Sequence, residues 1–304
     1  METRKHRRNR IIGILLVVSA FPNPGVTQNA PSIKAAAFAA ADLPMLFRGP
    51  QPCVEVMVNG QGPFLFAIDT GGTEDARVDS SLVARLRLRA SGSSTLSDGS
   101  SKKIRLAIIR LDSLSVGGLE FMDVKAATRD YNRLNLPPID GILTFDLFHD
   151  YLLTLDYPAK RVRIERGQLP AVDGGEILPL RRVHNHPAAE LAIGNRRVTA
   201  EIDSGNVGHS FLFPASLVEK LSLATAPVSK GKASTITSEF EIMEAQLRDN
   251  IRLGKYEFTR PWISFPAPFP FANVGSLFLN QFAVTFDQKQ NRVRFVRPGK
   301  GESN

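Results

Sequence analysis

The chain has 304 residues, of which 43% are hydrophobic and 22% charged, and its formal net charge is +8. That apolar content supports a sizeable core, and the length suits one large domain or two of moderate size. Twenty Pro and 23 Gly are spread along the chain, which excludes a low-complexity polymer.

The first segment stands apart. Arg4, Lys5, Arg7, Arg8 and Arg10 precede an apolar run from Ile11 to Ala20, and Pro22 and Pro24 follow. This is the layout of a secretory signal peptide or signal-anchor, placed at residues 1–30. The run is shorter than the roughly 20 residues that span a bilayer. The expectation is therefore an exported protein, periplasmic or secreted, that touches a membrane only through this segment. The same residues carry half of the net charge: five Lys/Arg against Glu2 leave +4 for the rest of the chain. The later basic residues are scattered, so a nucleic-acid partner is not indicated. Cys53 is the single cysteine, which excludes an internal disulfide. It reads as a half-buried strand residue.

Leu43-Pro44 opens a first unit, read as residues 42–167. Val58-Asn59-Gly60 is a hairpin-type turn between short strands. The strand Phe64 to Ile68 then runs into Asp69-Thr70-Gly71. Ser81 to Leu88 has apolar residues at helical spacing, with Asp79 and Ser80 as cap candidates. A hairpin is expected around Ser91 to Ile108, turning at Asp98-Gly99. Val116-Gly117-Gly118-Leu119 is a second turn, and Gly141 opens an apolar segment. Thr154-Leu155-Asp156 and Arg161-Val162-Arg163-Ile164 close the unit. A Gly- and Pro-containing linker runs from Gly167 to Gly175.

The second unit, read as 176–298, repeats the first. Leu178-Pro179 opens it, and Ile193-Gly194-Asn195 is the turn. The strand Arg197 to Ile202 runs into Asp203-Ser204-Gly205, 134 residues after the first Asp-hydroxyl-Gly. Ser216 to Leu223 echoes the helix, with Pro214 at a first helical position. Leu253-Gly254-Lys255-Tyr256 echoes the second turn. Gly275 lies 134 residues after Gly141 and is read as its equivalent. Thr285-Phe286-Asp287 and Arg292-Val293-Arg294-Phe295 are the closing strands. The expected fold is all-β, two pseudo-symmetric lobes with short helices, folded as a monomer that contains an intramolecular pseudo-dimer.

One Asp-Thr-Gly is an ordinary turn tripeptide. Two of them, each ending an apolar strand at the same place in a repeat, can meet at a pseudo-two-fold axis. Two carboxylates in contact cannot both ionise at low cost, so they share a proton. One can then act as base on a water while the other acts as acid toward a carbonyl. Gly71 and Gly205 allow tight turns beside the carboxylates. Thr70 and Ser204 can hydrogen-bond across the axis.

Ile68-Asp69-Thr70-Gly71 and Ile202-Asp203-Ser204-Gly205 resemble the two catalytic signatures of pepsin-like and retroviral-type aspartic peptidases. Ile139-Asp140-Gly141-Ile142-Leu143 and Val274-Gly275-Ser276-Leu277-Phe278 resemble the segments that pack behind the catalytic loops of that family. The resemblance spans nearly all of residues 43 to 298. It is closest in style to two-lobed bacterial aspartyl peptidases, because the units are short and disulfide-free. It implies an aspartic endopeptidase with Asp69 and Asp203 as catalytic residues and Thr70, Gly71, Ser204 and Gly205 as loop support. It implies a peptide or protein substrate in the cleft between lobes, and neither cofactor nor metal. The sequence departs from the family after each signature Gly, where Gly72 and Asn206 replace the usual Ser, Thr or Ala. The first-unit hairpin also lacks the Tyr usual in the pepsin branch.

Other candidates have plainer readings. His184 and His186 have no third ligand nearby and read as solvated residues. His209 reads as structural. Trp262 and the Phe265 to Phe271 segment read equally as a substrate wall or a packed loop. Asp140, Asp156 and Asp287 fit turns and strand ends. Two competing functions remain: a non-catalytic peptide- or partner-binding module on the same fold, and a two-carboxylate glycosidase. The latter has no need of paired Asp-hydroxyl-Gly loops.

Overall fold

The structure is a computed structural model that describes residues 40–298 except 73, 98–102, 133–137, 236–238 and 267–269, together with the dipeptides 15–16 and 32–33. The expected signal segment, apart from Leu15–Leu16, and the Asp98-Gly99 turn lie outside the described residues.

The fold is all-β. Among the described residues the helices are three short ones, Ser80–Arg85, Ala215–Val218 and Ser276–Leu279, with a 3-10 turn at Phe145–Phe148. The strands form three sheets. In the first-unit sheet, Gln61–Asp69 pairs antiparallel with Gln51–Val58 and parallel with Gly141–Thr144. Side chains alternate across a strand. Phe64, Phe66 and Ile68 therefore enter the main core, while Leu65 and Ala67 share the opposite face with Asp69. In the second-unit sheet, Arg196–Ile202 lies between His186–Ile193 and Ala272–Val274. Ala200 and Ile202 enter the core, and Glu201 and Asp203 take the other face.

The third sheet joins the units. Its six strands run Ile177–Pro179, Arg292–Val296, Ala283–Asp287, Leu152–Asp156, Arg161–Glu165 and Ala40–Pro44. Three strands come from each half of the chain, and the order is symmetric about the centre. There Thr154 pairs with Thr285, and their hydroxyls lie 2.8 Å apart. Phe145 packs edge-on against Phe286 with ring centroids 5.3 Å apart, so one core is continuous through this sheet.

Several sequence readings need correction. The strand registers pair Phe66 with Gly141 and Ala200 with Ala272, which makes Gly141 equivalent to Ala272 rather than to Gly275. The repeat is offset by 134 residues at the aspartates and 131 behind them, because the second unit is three residues shorter in between. Gly275 is therefore equivalent to Thr144. Cys53 is fully buried, since it pairs with Ala67 in mid-sheet. The first helix stops at Arg85, two residues before Arg87 turns left-handed, and Asp79 caps it by accepting from the Ser81 amide at 2.9 Å. Pro214 is the residue before its helix rather than the first residue in it. His186 is buried where the sequence suggested a solvated residue, because it opens the strand beside the Asp203 strand.

Candidate active site

Each aspartate follows a buried apolar strand that its sheet holds on both sides. The two sheets bring Asp69 and Asp203 face to face, each loop's glycine lying against the other aspartate's carboxyl. Both are almost wholly buried. Each loop folds over its own carboxyl: Gly71 donates its amide to Asp69 Oδ1 at 2.9 Å, and Gly205 donates to Asp203 Oδ1 at 2.8 Å.

The loops are tied together reciprocally. The Thr70 amide donates to Ser204 Oγ at 3.0 Å, and the Ser204 amide donates to Thr70 Oγ1 at 3.0 Å. The Thr70 hydroxyl in turn donates to the Ile202 carbonyl at 2.6 Å, and the Ser204 hydroxyl to the Ile68 carbonyl at 2.8 Å. These four bonds are buried and connected end to end, so losing one partner strands another. The glycines are required by proximity. A Cβ on Gly71 would lie 2.5 Å from Asp203 Cγ, and one on Gly205 would lie 2.5 Å from Asp69 Cγ.

The surroundings of the two carboxyls are not symmetric. Asp203 accepts two further hydrogen bonds, from the Asn206 amide at 3.1 Å and from Asn273 Nδ2 at 3.0 Å. The Asn206 side chain donates to Asn273 Oδ1 at 2.7 Å, so it supports Asp203 through Asn273. Asp69 instead has a fully buried cation nearby, with Arg77 Nη1 4.0 Å from its Oδ2. Burial raises the proton affinity of both carboxyls. For Asp69 the neighbouring Asp203 charge adds to this, and Arg77 opposes it.

Residues 54–147 match the family model described as aspartyl protease. That span holds Asp69, Thr70 and Gly71 and the strand behind them, Gly141–Thr144. No curated protein sequence matches the chain significantly.

The departures from the aspartyl protease pattern have a steric basis. A Cβ on Gly72 would lie 2.8 Å from Thr144 Cγ2. Thr144 is held by its hydroxyl, which donates to the Glu74 carbonyl and faces the Asp75 carbonyl at 3.1 Å. In the second unit the arrangement is reversed. Gly275 stands at the Thr144 position, and a Cβ there would lie 2.6 Å from the Asn206 carbonyl oxygen and 2.9 Å from its Nδ2. Side chain and space are thus exchanged between the halves. Gly72→Ser alone should cost about 1–3 kcal/mol through overpacking. Thr144→Gly should recover part of that loss in the double variant. Urea unfolding of the four proteins checks this, and additive losses would show that the two positions do not meet.

The other sequence candidates take structural places. Asp140 accepts from the Leu65 amide at 2.9 Å, Asp156 from Ala159 at 3.0 Å and Asp287 from Leu169 at 2.8 Å. Burial pushes His186 down to about 3, an effect that the Gly71 backbone opposes. His209 Nδ1 meets Ser264 Oγ at 2.7 Å. Trp262 is half exposed at the start of the strand Trp262–Pro266. The first-unit hairpin pairs Ala90–Ser97 with Lys103–Val116. Sequence reasoning passed over Arg77, Asn273 and Glu201. The signal for Glu201 was present, since a charged residue two before the aspartate shares its face. Arg77 and Asn273 needed the strand registers.

These groups set the pH dependence of stability. Burial and the Asp203 charge push Glu201 up to about 8, and burial pushes Asp75 up to about 6. Both keep a proton to higher pH in the folded state than when unfolded. Their contribution is therefore full below the ordinary carboxylate range and is lost as pH rises through the raised values. His186, pushed to about 3, and His209, pushed to about 4, act oppositely and lose stability as pH falls below about 6.5. Above that pH the histidines contribute no slope. The thermal midpoint should therefore fall between pH 6.5 and 8, and Glu201→Gln should flatten the fall. A midpoint that rises through this window would show that Glu201 is ionised in the fold.

Proposed function

We propose that this protein is an aspartic endopeptidase that hydrolyses peptide bonds with Asp69 and Asp203 as its catalytic pair. The observation that carries the reading is the close approach of the two buried carboxyls, made by loops that hydrogen-bond reciprocally across the unit boundary and lie against each other's aspartate. A facing pair retains one proton over a wide pH range. Among the described residues, three donors stabilise negative charge on Asp203, whereas Asp69 has one backbone donor and the more distant Arg77. In the proposed reaction Asp203 takes a proton from the attacking water, and Asp69 gives its proton to the carbonyl oxygen of the scissile bond. The tetrahedral intermediate then collapses as Asp203 passes the proton it took to the leaving amine and Asp69 regains one from a hydroxyl of the intermediate, which restores the pair.

Peptide cleavage that pepstatin inhibits would support this reading. Binding of peptides without any cleavage would favour the binding-module alternative. We further propose that the chain is exported, as its basic-then-apolar N-terminal segment suggests. In cell fractionation the protein should be found outside the cytoplasm. A full-length soluble cytoplasmic chain would count against export and leave the peptidase reading standing.

A further inference from the structure

We infer that Glu201 is a specificity-determining residue, and that the second-unit wall of the cleft takes a cationic side chain, lysine or arginine, next to the scissile bond. The inference rests on the peptidase reading and adds a substrate class to it.

Glu201 pairs with Asn273, Asn273 with Leu212, Leu212 with Ser264, and Ser264 with Glu244. Residues paired across a sheet share a face. This row therefore lies on the face that carries Asp203, since Glu201 precedes that aspartate by two. It is a wall rich in acceptors. The equivalent row of the first unit is Cys53, Ala67, Ile142 and Arg77, which pair in the same way. Ala67 stands there in the place of Glu201. The two walls flanking the carboxyl pair thus differ in chemistry, with acceptors on one side and apolar groups with a cation on the other.

Glu201, 5% exposed, is almost as buried as Asp203 at 3%. Side chains two apart on a strand lie about 7 Å apart on one face, so a substrate residue flanking the scissile bond is within reach of Glu201. Among the described residues, Glu201 Oε1 receives no hydrogen bond from the protein. The Asn273 side chain lies beside it on the paired strand, and its amide already serves Asp203. A second acceptor on this wall is also unused. The Ser264 hydroxyl donates to Glu244 Oε1 at 3.2 Å, so it accepts from His209 Nδ1. That fixes the tautomer and leaves His209 Nε2 as a buried acceptor without a protein donor among the described residues. Glu244 is balanced by Lys230 at 3.6 Å, whereas no cation is paired with Glu201 among the described residues.

A buried carboxyl with an unused oxygen is costly unless a donor reaches it. Glu201 stays protonated in the free protein. An ammonium or guanidinium beside it would draw its proton off to solvent and form a charge-assisted pair. A neutral aliphatic side chain would leave the oxygen unpaired and displace whatever solvates it. Discrimination therefore favours the cation by about tenfold or more.

The test uses the full chain with a mixed peptide library whose cleavage sites are read by mass spectrometry. Peptide pairs that differ only by Lys or Leu at the selected position follow. The wild-type protein should favour Lys or Arg at one of the two positions flanking the scissile bond by about tenfold or more in kcat/KM. In Glu201→Gln the Lys-to-Leu ratio should fall to about one. Glu201→Ala, which copies Ala67, should do the same and guards against a folding defect peculiar to one variant. Cleavage with no basic preference, or a preference unchanged in both variants, would overturn the inference and leave the peptidase reading intact. If no library member is cleaved, the peptidase reading falls alone. Affinities of the same Lys and Leu peptides for wild type and Glu201→Gln then decide the assignment, and equal affinities would overturn it.

Discussion

Asp69→Asn and Asp203→Asn should each lower kcat/KM for peptide cleavage by at least about 10³-fold, in line with the loss of a positioned acid or base. The fold should survive, because Asn keeps the size of Asp and its amide can still accept from Gly71 or Gly205. The carboxyls act as a unit, so the double variant should be scarcely worse than either single one. The check is steady-state kinetics on all three variants, with thermal melts to establish folding. Near-normal turnover in either single variant would remove that residue from the catalytic pair. Losses that multiply in the double variant would show two independent groups rather than one shared proton.

Arg77→Met should move the whole pH–activity profile upward. The profile should be a bell, because the reaction needs one proton on the pair, and each limb marks a proton gained or lost. Arg77 is fully buried, and its charge lies 4.0 Å from Asp69 Oδ2, where it favours the ionised form. Removing it raises the proton affinity of the pair, so both limbs should shift to higher pH by about one unit. Arg77→Lys keeps the charge and should shift them less. Other groups interact with Arg77: Tyr131, with which Glu74 and Arg129 also interact, and His186. Tyr131 is pushed up to about 12 by burial and His186 down to about 3, so neither titrates near neutrality. A purely structural role for Arg77 would lower the height of the profile at every pH and leave its limbs in place.

The repeat made much of this molecule legible. Two apolar strands that end in Asp-hydroxyl-Gly, with matching turns and closing strands, are local patterns. Each is set by side-chain alternation and turn chemistry within a few residues. The all-β class follows from them. What failed was register. Gly141 and Gly275 share the 134-residue spacing of the aspartates, yet a segment three residues shorter in the second unit shifts everything behind it. Spacing along a chain cannot reveal such a slip, whereas strand pairing does, because a displaced partner would turn its side chains to the wrong face.

By itself the sequence determined the class of fold, the pairing of two aspartates by repetition, and the residues that can turn tightly beside them. Tertiary structure alone decided how those aspartates are held. Thr144 occupies the space beside Gly72, and in the other half Asn206 fills the space beside Gly275. Asn273 carries the support of Asn206 to Asp203, and Arg77 arrives beside Asp69 from the strand beyond Gly141–Thr144. These residues are far from the aspartates in sequence or lie outside any motif. Their effect depends on separations of a few ångströms inside a buried, poorly solvated site. There a single charge or amide shifts a proton equilibrium that the same residue at the surface would leave unchanged.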